Sequence, residues 1–238
     1  MQKRFKRILT TILLIVLLVI ATASTYATTN LTNETKMIQA QAQFLINSVD
    51  EESLLKDASE NKIDYSVPRS IRENILFSSE FSPFDGVKYD AVQLRTSSTV
   101  QKVGEIVAKS GDVSNLYVAV VVATDVKVDD QYSSNYGVKA WATVYWIDNL
   151  GANIELYAAG ADWDPMGNTV GNRQVRYGTT DIFWATWING PTTKYPTSNS
   201  AYYQDSSYSG LTLRCQTKID VINVGTVTCN VGSRAVTK

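Results

Sequence analysis

The spacing of apolar positions along this chain changes twice, and each change predicts a different kind of element. Lys3, Arg4, Lys6 and Arg7 lead into an uncharged, mostly apolar run of thirteen residues from Ile8 to Ile20, and small residues close the stretch at Ala27. That is the layout of a secretory signal peptide over residues 1–27. The run is too short for the roughly 20 apolar residues a membrane-spanning helix needs. Beyond it, Ile38, Ala42, Leu45, Ile46 and Val49 fall on one helical stripe. Ser48 with Glu51, and Ser70 with Glu73 after Pro68, have capping-box spacing, so helix is expected from residue 34 to about 80. The segment 28–85 therefore reads as helical, either a propeptide or helices packed on the domain that follows.

From residue 86 the period becomes two. NLYVAVVVATDVKV, 115–128, is apolar on both faces and rich in β-branched residues, as a central strand is. TVQKVGEIVAKSG before it is read as strand. Val138, Ala140, Ala142, Val144 and Trp146 alternate with Lys139, Trp141, Thr143, Tyr145 and Ile147. After a turn at 148–151, Ile154, Leu156 and Ala158 alternate with Glu155, Tyr157 and Ala159, which predicts a β-hairpin. One of its faces is small and aliphatic, suited to sheet-on-sheet packing; the other is aromatic and charged, suited to half exposure. Further strands are predicted at 169–177, 180–188, 210–221 and 225–231, with 192–209 as a long polar loop fit for recognition. The expected architecture is mainly β, an antiparallel β-sandwich over 86–238 preceded by the short helical segment.

Charge then narrows the partners. Without the signal the chain carries 18 basic and 23 acidic side chains, with the acidic excess in residues 28–137 and a balance of +1 in 138–238. No phosphate-seeking stripe is visible in the sequence, so nucleic acid is not expected as a partner. There is no histidine, which removes Ser-His and Cys-His catalysis and any histidine-bearing zinc site. A non-enzymatic protein without a cofactor is expected, a hydrolase using carboxylates alone being the remaining catalytic option. Cys215 and Cys229 fit one disulfide in an exported protein, closing a loop of about 15 residues worth roughly 3 kcal/mol; two buried free thiols are the alternative.

All five tryptophans lie between Trp141 and Trp187. Such rings stack on sugars or sit at a lipid headgroup boundary when exposed, and fill a core when not. Trp146 suits the core. Trp141, Tyr145, Trp163, Trp184, Tyr202 and Tyr203 are the candidate binding residues. Asp162, Asp164 and Asn168 in DWDPMGN offer oxygen ligands for a calcium ion, although an Asp-, Pro- and Gly-rich turn has the same composition.

Val170, Asn172, Arg173, Val175, Tyr177 and Gly178 form V-x-N-R-x-V-x-Y-G, which resembles a pattern in small secreted β-sandwich proteins of Gram-positive bacteria. In size, export signal and β-rich body the chain is also similar to large secreted bacteriocins. With the signal layout and the aromatic face, the resemblances lead to the expectation of a secreted, extracellular antimicrobial protein that acts on a bacterial membrane or cell-wall component. A non-lytic carbohydrate or cell-wall binding module is the other expectation. The oligomeric state is left open.

Overall fold

A computed structural model of the chain describes residues 33–85, 92–127, 138–148, 153–179, 188–189, 192–202 and 213–233. The signal segment, Trp184, Trp187 and Tyr203 lie outside the described residues. Among the described residues, no helix is long and apolar enough to cross a membrane.

Among the described residues three helices come first: α1 over 33–47, α2 over Glu51–Ser59 and α3 over Arg69–Asn74. The described residues then form ten strands: β1 Ile75–Pro83, β2 Val92–Val107, β3 Val113–Lys127, β4 Lys139–Asp148, β5 Asn153–Asp164, β6 Val170–Thr179, β7 Ile188–Asn189, β8 Thr192–Tyr202, β9 Leu213–Val221 and β10 Gly225–Ser233. They form two antiparallel sheets, a first in the order β1-β10-β9-β6-β7 and a second in the order β2-β3-β4-β5-β8. The mainly β, antiparallel expectation holds, and so does the strand reading of TVQKVGEIV, which is the second half of β2.

Local chemistry moves the expected helix boundaries. Asp50, not Ser48, caps α2 by accepting from Ser53 N at 3.3 Å, and Glu51, Glu52 and Lys56 match the helix dipole. Ser48 instead donates its hydroxyl to Leu45 O at the end of α1. Glu73 pairs with Arg69 at 2.6 Å rather than forming a capping box, and helix gives way to strand at Ile75. There Ile75, Phe77 and Phe81 turn inward while Leu76, Ser78, Glu80 and Ser82 face out, so residues 75–83 belong to the sandwich. The expected loop at 192–209 is likewise corrected: its first eleven residues are β8, an edge strand paired with β5. Pro196 is tolerated there because an edge strand need not donate from every residue.

The core has two parts. Between the sheets, Tyr117, Ala119, Val121 and Ala123 of β3 and Ala140, Ala142, Val144 and Trp146 of β4 meet Val175, Leu213, Cys215, Ile219, Val227, Cys229 and Val231 of the first sheet. Tyr117 and Trp146 are direct cross-strand partners, with ring centroids 5.7 Å apart. On the other side of the second sheet, Leu116, Val118, Val120 and Val122 meet Ala42 and Ile46 of α1 and Leu54 and Ala58 of α2. This explains why β3 is apolar on both faces. Each of the Leu, Ile and Val side chains among them gains about 1.5–3 kcal/mol from full burial, so the helices pack as a cap on this sheet.

The cap also closes an exposed strand edge. β2 ends the second sheet, and an unpaired edge invites further pairing. Ser98 N donates to Asn61 Oδ1 and Lys102 N to Asp64 Oδ2, both at 3.0 Å, while Val107 N donates to Gln41 Oε1 at 3.1 Å. At the bulge between Lys102 and Gly104 the helix comes very close: a Cβ on Gly104 would lie 2.9 Å from Leu45 Cδ2.

Candidate functional site

The aromatic face expected to meet solvent is the face the helices cover. Tyr145 is 1% exposed, packed with Ile147, Leu116 and Val118 beneath the cap. Its burial pushes the phenol well above the usual tyrosine range, with the charge of Glu51 adding to the effect. Trp141 is half-buried against the same cluster, and Lys139 Nζ sits 5.9 Å from its ring centroid. Tyr157 donates its hydroxyl to Glu155 Oε2 at 2.7 Å beside them.

Trp163 goes the other way. It is 7% exposed and belongs to the core between the sheets. The cause is a bulge: Tyr145 pairs with Ala158 but Trp146 with Leu156, so Tyr157 is an extra residue. From that point the in-and-out order of β5 reverses, and Ala159, Ala161 and Trp163 point into the sandwich. Tyr202 ends β8, its backbone paired with Asn153. The candidate aromatics are thus not brought together on one exposed surface among the described residues.

The acidic turn is a turn. Asp162 Oδ1 accepts from Trp163 N at 2.8 Å, Asp164 Oδ1 accepts from Met166 N at 2.9 Å, and Asn168 donates its side-chain N–H to Pro165 O at 3.1 Å. Met166 and Gly167 take positive φ, of 47° and 89°. Asp164 acts as the local turn cap, while Asp162 bonds the next backbone N–H within β5. Among the described residues no group of three His, Cys, Asp or Glu side chains is placed to hold a metal ion.

Cys215 and Cys229 are free thiols, which corrects the disulfide expectation. Both point inward on adjacent strands, but Cys215 pairs with Val231 and Cys229 with Thr217, so the two are diagonal neighbours. Diagonal Cα atoms lie about 7–8 Å apart, beyond the roughly 4.4–6.8 Å of a disulfide. Each thiol donates across to the second sheet instead, Cys215 to Gly160 O at 3.5 Å and Cys229 to Ala140 O at 3.4 Å. Burial pushes both up to about 12.

The outer face of the first sheet carries no helix among the described residues. Its central positions form a grid: Gln174, Arg176 and Gly178 on β6 lie opposite Lys218, Gln216 and Arg214 on β9, which in turn lie opposite Thr228, Asn230 and Gly232 on β10. Arg176 Nε donates to Gln216 Oε1 at 2.6 Å, and Asn230 Nδ2 donates to Ser78 Oγ at 3.2 Å. Partial burial lowers the Arg176 guanidinium from its ordinary value.

The N-R-x-V-x-Y-G motif builds one end of this grid. Asn172, at φ 38°, sits in the β6 bulge between Gly171 and Gln174, a conformation Asn tolerates better than most residues. Its Nδ2 donates to Asp220 Oδ2 at 2.7 Å, and Thr226 Oγ1 donates to the other oxygen at 2.7 Å. Asp220 is 8% exposed and is held by these two donors. Val175 faces the core, while Arg176 faces out.

The sequence showed half of this surface, since Arg214, Gln216, Lys218 and Asp220 alternate with an apolar row. It did not show that Arg176 is set beside them, because the bulge fixes the β6–β9 register. No protein-family model, curated protein or solved structure matches the chain.

Proposed function

We propose that the protein is exported and works outside the cell as a non-catalytic binding module for the bacterial cell wall, using the outer face of the first sheet. The observation that carries this reading is the asymmetry of the sandwich. Helices bury the outer face of one sheet. The other carries rows of half-buried amide, hydroxyl and cationic side chains, the kind of surface that hydrogen-bonds a polar polymer. The basic start and the short apolar run that follows it support export. Killing of related bacteria would be a consequence of wall binding in this reading, and not of aromatic insertion into lipid, because Tyr145 and Trp163 are buried.

Purified protein lacking residues 1–27 should co-sediment with isolated Gram-positive wall sacculi at micromolar concentration. Complete recovery in the supernatant would contradict the proposal. Spotting the same preparation on bacterial lawns reads antimicrobial action separately.

A further inference from the structure

Resting on the wall-binding reading, we propose that Arg176, Arg214 and Lys218 form a docking surface for a polyanion that carries its charge as phosphodiester groups on a polyol or sugar backbone. The three cations occupy a grid in which none of the nine positions is a carboxylate. Arg214 and Lys218 are four residues apart on β9, about 13 Å at the rise of an extended strand, with Arg176 beside the residue midway between them. One phosphate does not fill that span; a chain of them does. Gly178 and Gly232 flank Arg214 on both sides, and Arg214 is half-buried between them.

Charge is segregated across the molecule. Residues 33–74, which form the cap on the opposite side, carry eight acidic and five basic side chains. Among the described residues, the acids on the docking face are Asp220, held by Asn172 and Thr226, and Glu80, two strands from Lys218 and about 10 Å away. A polyanion therefore attracts one side of the protein and repels the other, which orients the approach.

The neutral members of the grid select among polyanions. Gln174, Gln216, Asn230 and Thr228 supply donors and acceptors that match the hydroxyls of a polyol or sugar. No grid side chain is apolar or aromatic, so an anionic bilayer offers no burial and a nucleic acid finds no stacking platform.

The test uses the protein lacking residues 1–27 and wall sacculi before and after hydrofluoric acid has removed their phosphodiester polymers. Retention by intact sacculi should fall at least about tenfold on stripped ones, and should weaken steeply as salt rises. Arg176→Gln with Lys218→Gln should abolish retention at an unchanged thermal midpoint, and Arg176→Lys with Arg214→Lys should keep it. Equal retention on stripped sacculi would overturn this inference and leave wall binding standing. Unchanged binding by the folded Gln variant, or equal binding to anionic vesicles or duplex DNA at matched phosphate, would overturn it as well. Absence of retention on both sacculi would remove the wall-binding reading itself.

Discussion

Gln41 on α1 pairs with the backbone of Val107 through both ends of its amide, Nε2 donating to the carbonyl at 2.9 Å and Oε1 accepting from the N–H at 3.1 Å. A side chain thus stands where a neighbouring strand would, and it does so at the open edge of the second sheet. Gln41→Ala is expected to cost about 1 kcal/mol, the net worth of such hydrogen bonds near solvent. Deleting residues 28–59 should do far more, because it uncovers Leu116, Val118, Val120, Tyr145 and the Val107 end of the edge together. Size-exclusion chromatography of that truncation should show aggregates; a stable monomer would mean that the cap is a removable leader.

Tyr145 is the largest fully buried side chain beneath the cap, with 1% exposure. Tyr145→Ala should destabilise the fold by about 3–5 kcal/mol, read from denaturant midpoints. A solvent-facing binding residue would change stability by no more than about 0.5 kcal/mol.

The strap between α2 and α3 should respond to acid. Burial disfavours the charge of Asp64, but hydrogen bonds from Ser66 and Lys102 N, with the charge of Arg72 nearby, hold its carboxyl below the usual carboxylate range. A depressed folded value stabilises above the unfolded one near pH 4 and is lost as pH falls through the folded one. Asp64→Asn should therefore flatten the loss of stability below pH 4 that thermal melts show for the parent protein.

The thiols respond at the other end. Both are pushed up to about 12, above the ordinary 9.0. From pH 9 upward the unfolded chain releases these protons and the folded one keeps them, so stability falls as pH rises towards 12. At pH 8 a thiol reagent should modify neither cysteine in the native protein and both after unfolding. Absence of free thiols after unfolding would restore the disulfide.

What the sequence made legible were the features that depend on neighbours a few residues apart. The β4 alternation, the inward placement of Trp146 and the apolar helix stripe are local patterns, and the structure keeps them. The misplaced features depend on pairing at long range. A single bulge at Tyr157 sends Trp163 inward, and another at Asn172 sets the register that brings Arg176 beside Gln216. Periodicity cannot register an extra residue that only the partner strand reveals. The burial of Tyr145 was hidden for a similar reason: an aromatic, mixed face looks half exposed until a helix more than ninety residues earlier covers it.

Asn172 separates backbone from bonding effects. Asn172→Gly keeps the left-handed conformation and loses the donor to Asp220, while Asn172→Ala loses both. Leaving a buried carboxylate short of a donor should cost about 1–3 kcal/mol in the Gly variant, and the Ala variant should be worse. Equal stability of both variants and the parent would show that the motif does not hold this end of the sheet together.

The outer face of the first sheet, and not the helix-covered face, is proposed to meet the wall. Because Cys215 and Cys229 are shielded, a bulky maleimide can be directed to an introduced thiol at Thr228→Cys in the grid, or at Phe44→Cys on the cap, where Phe44 is 73% exposed. Sedimentation with intact sacculi should then show binding abolished by the label at position 228 and unaffected by the label at position 44. Binding blocked from position 44 and untouched from position 228 would contradict the account.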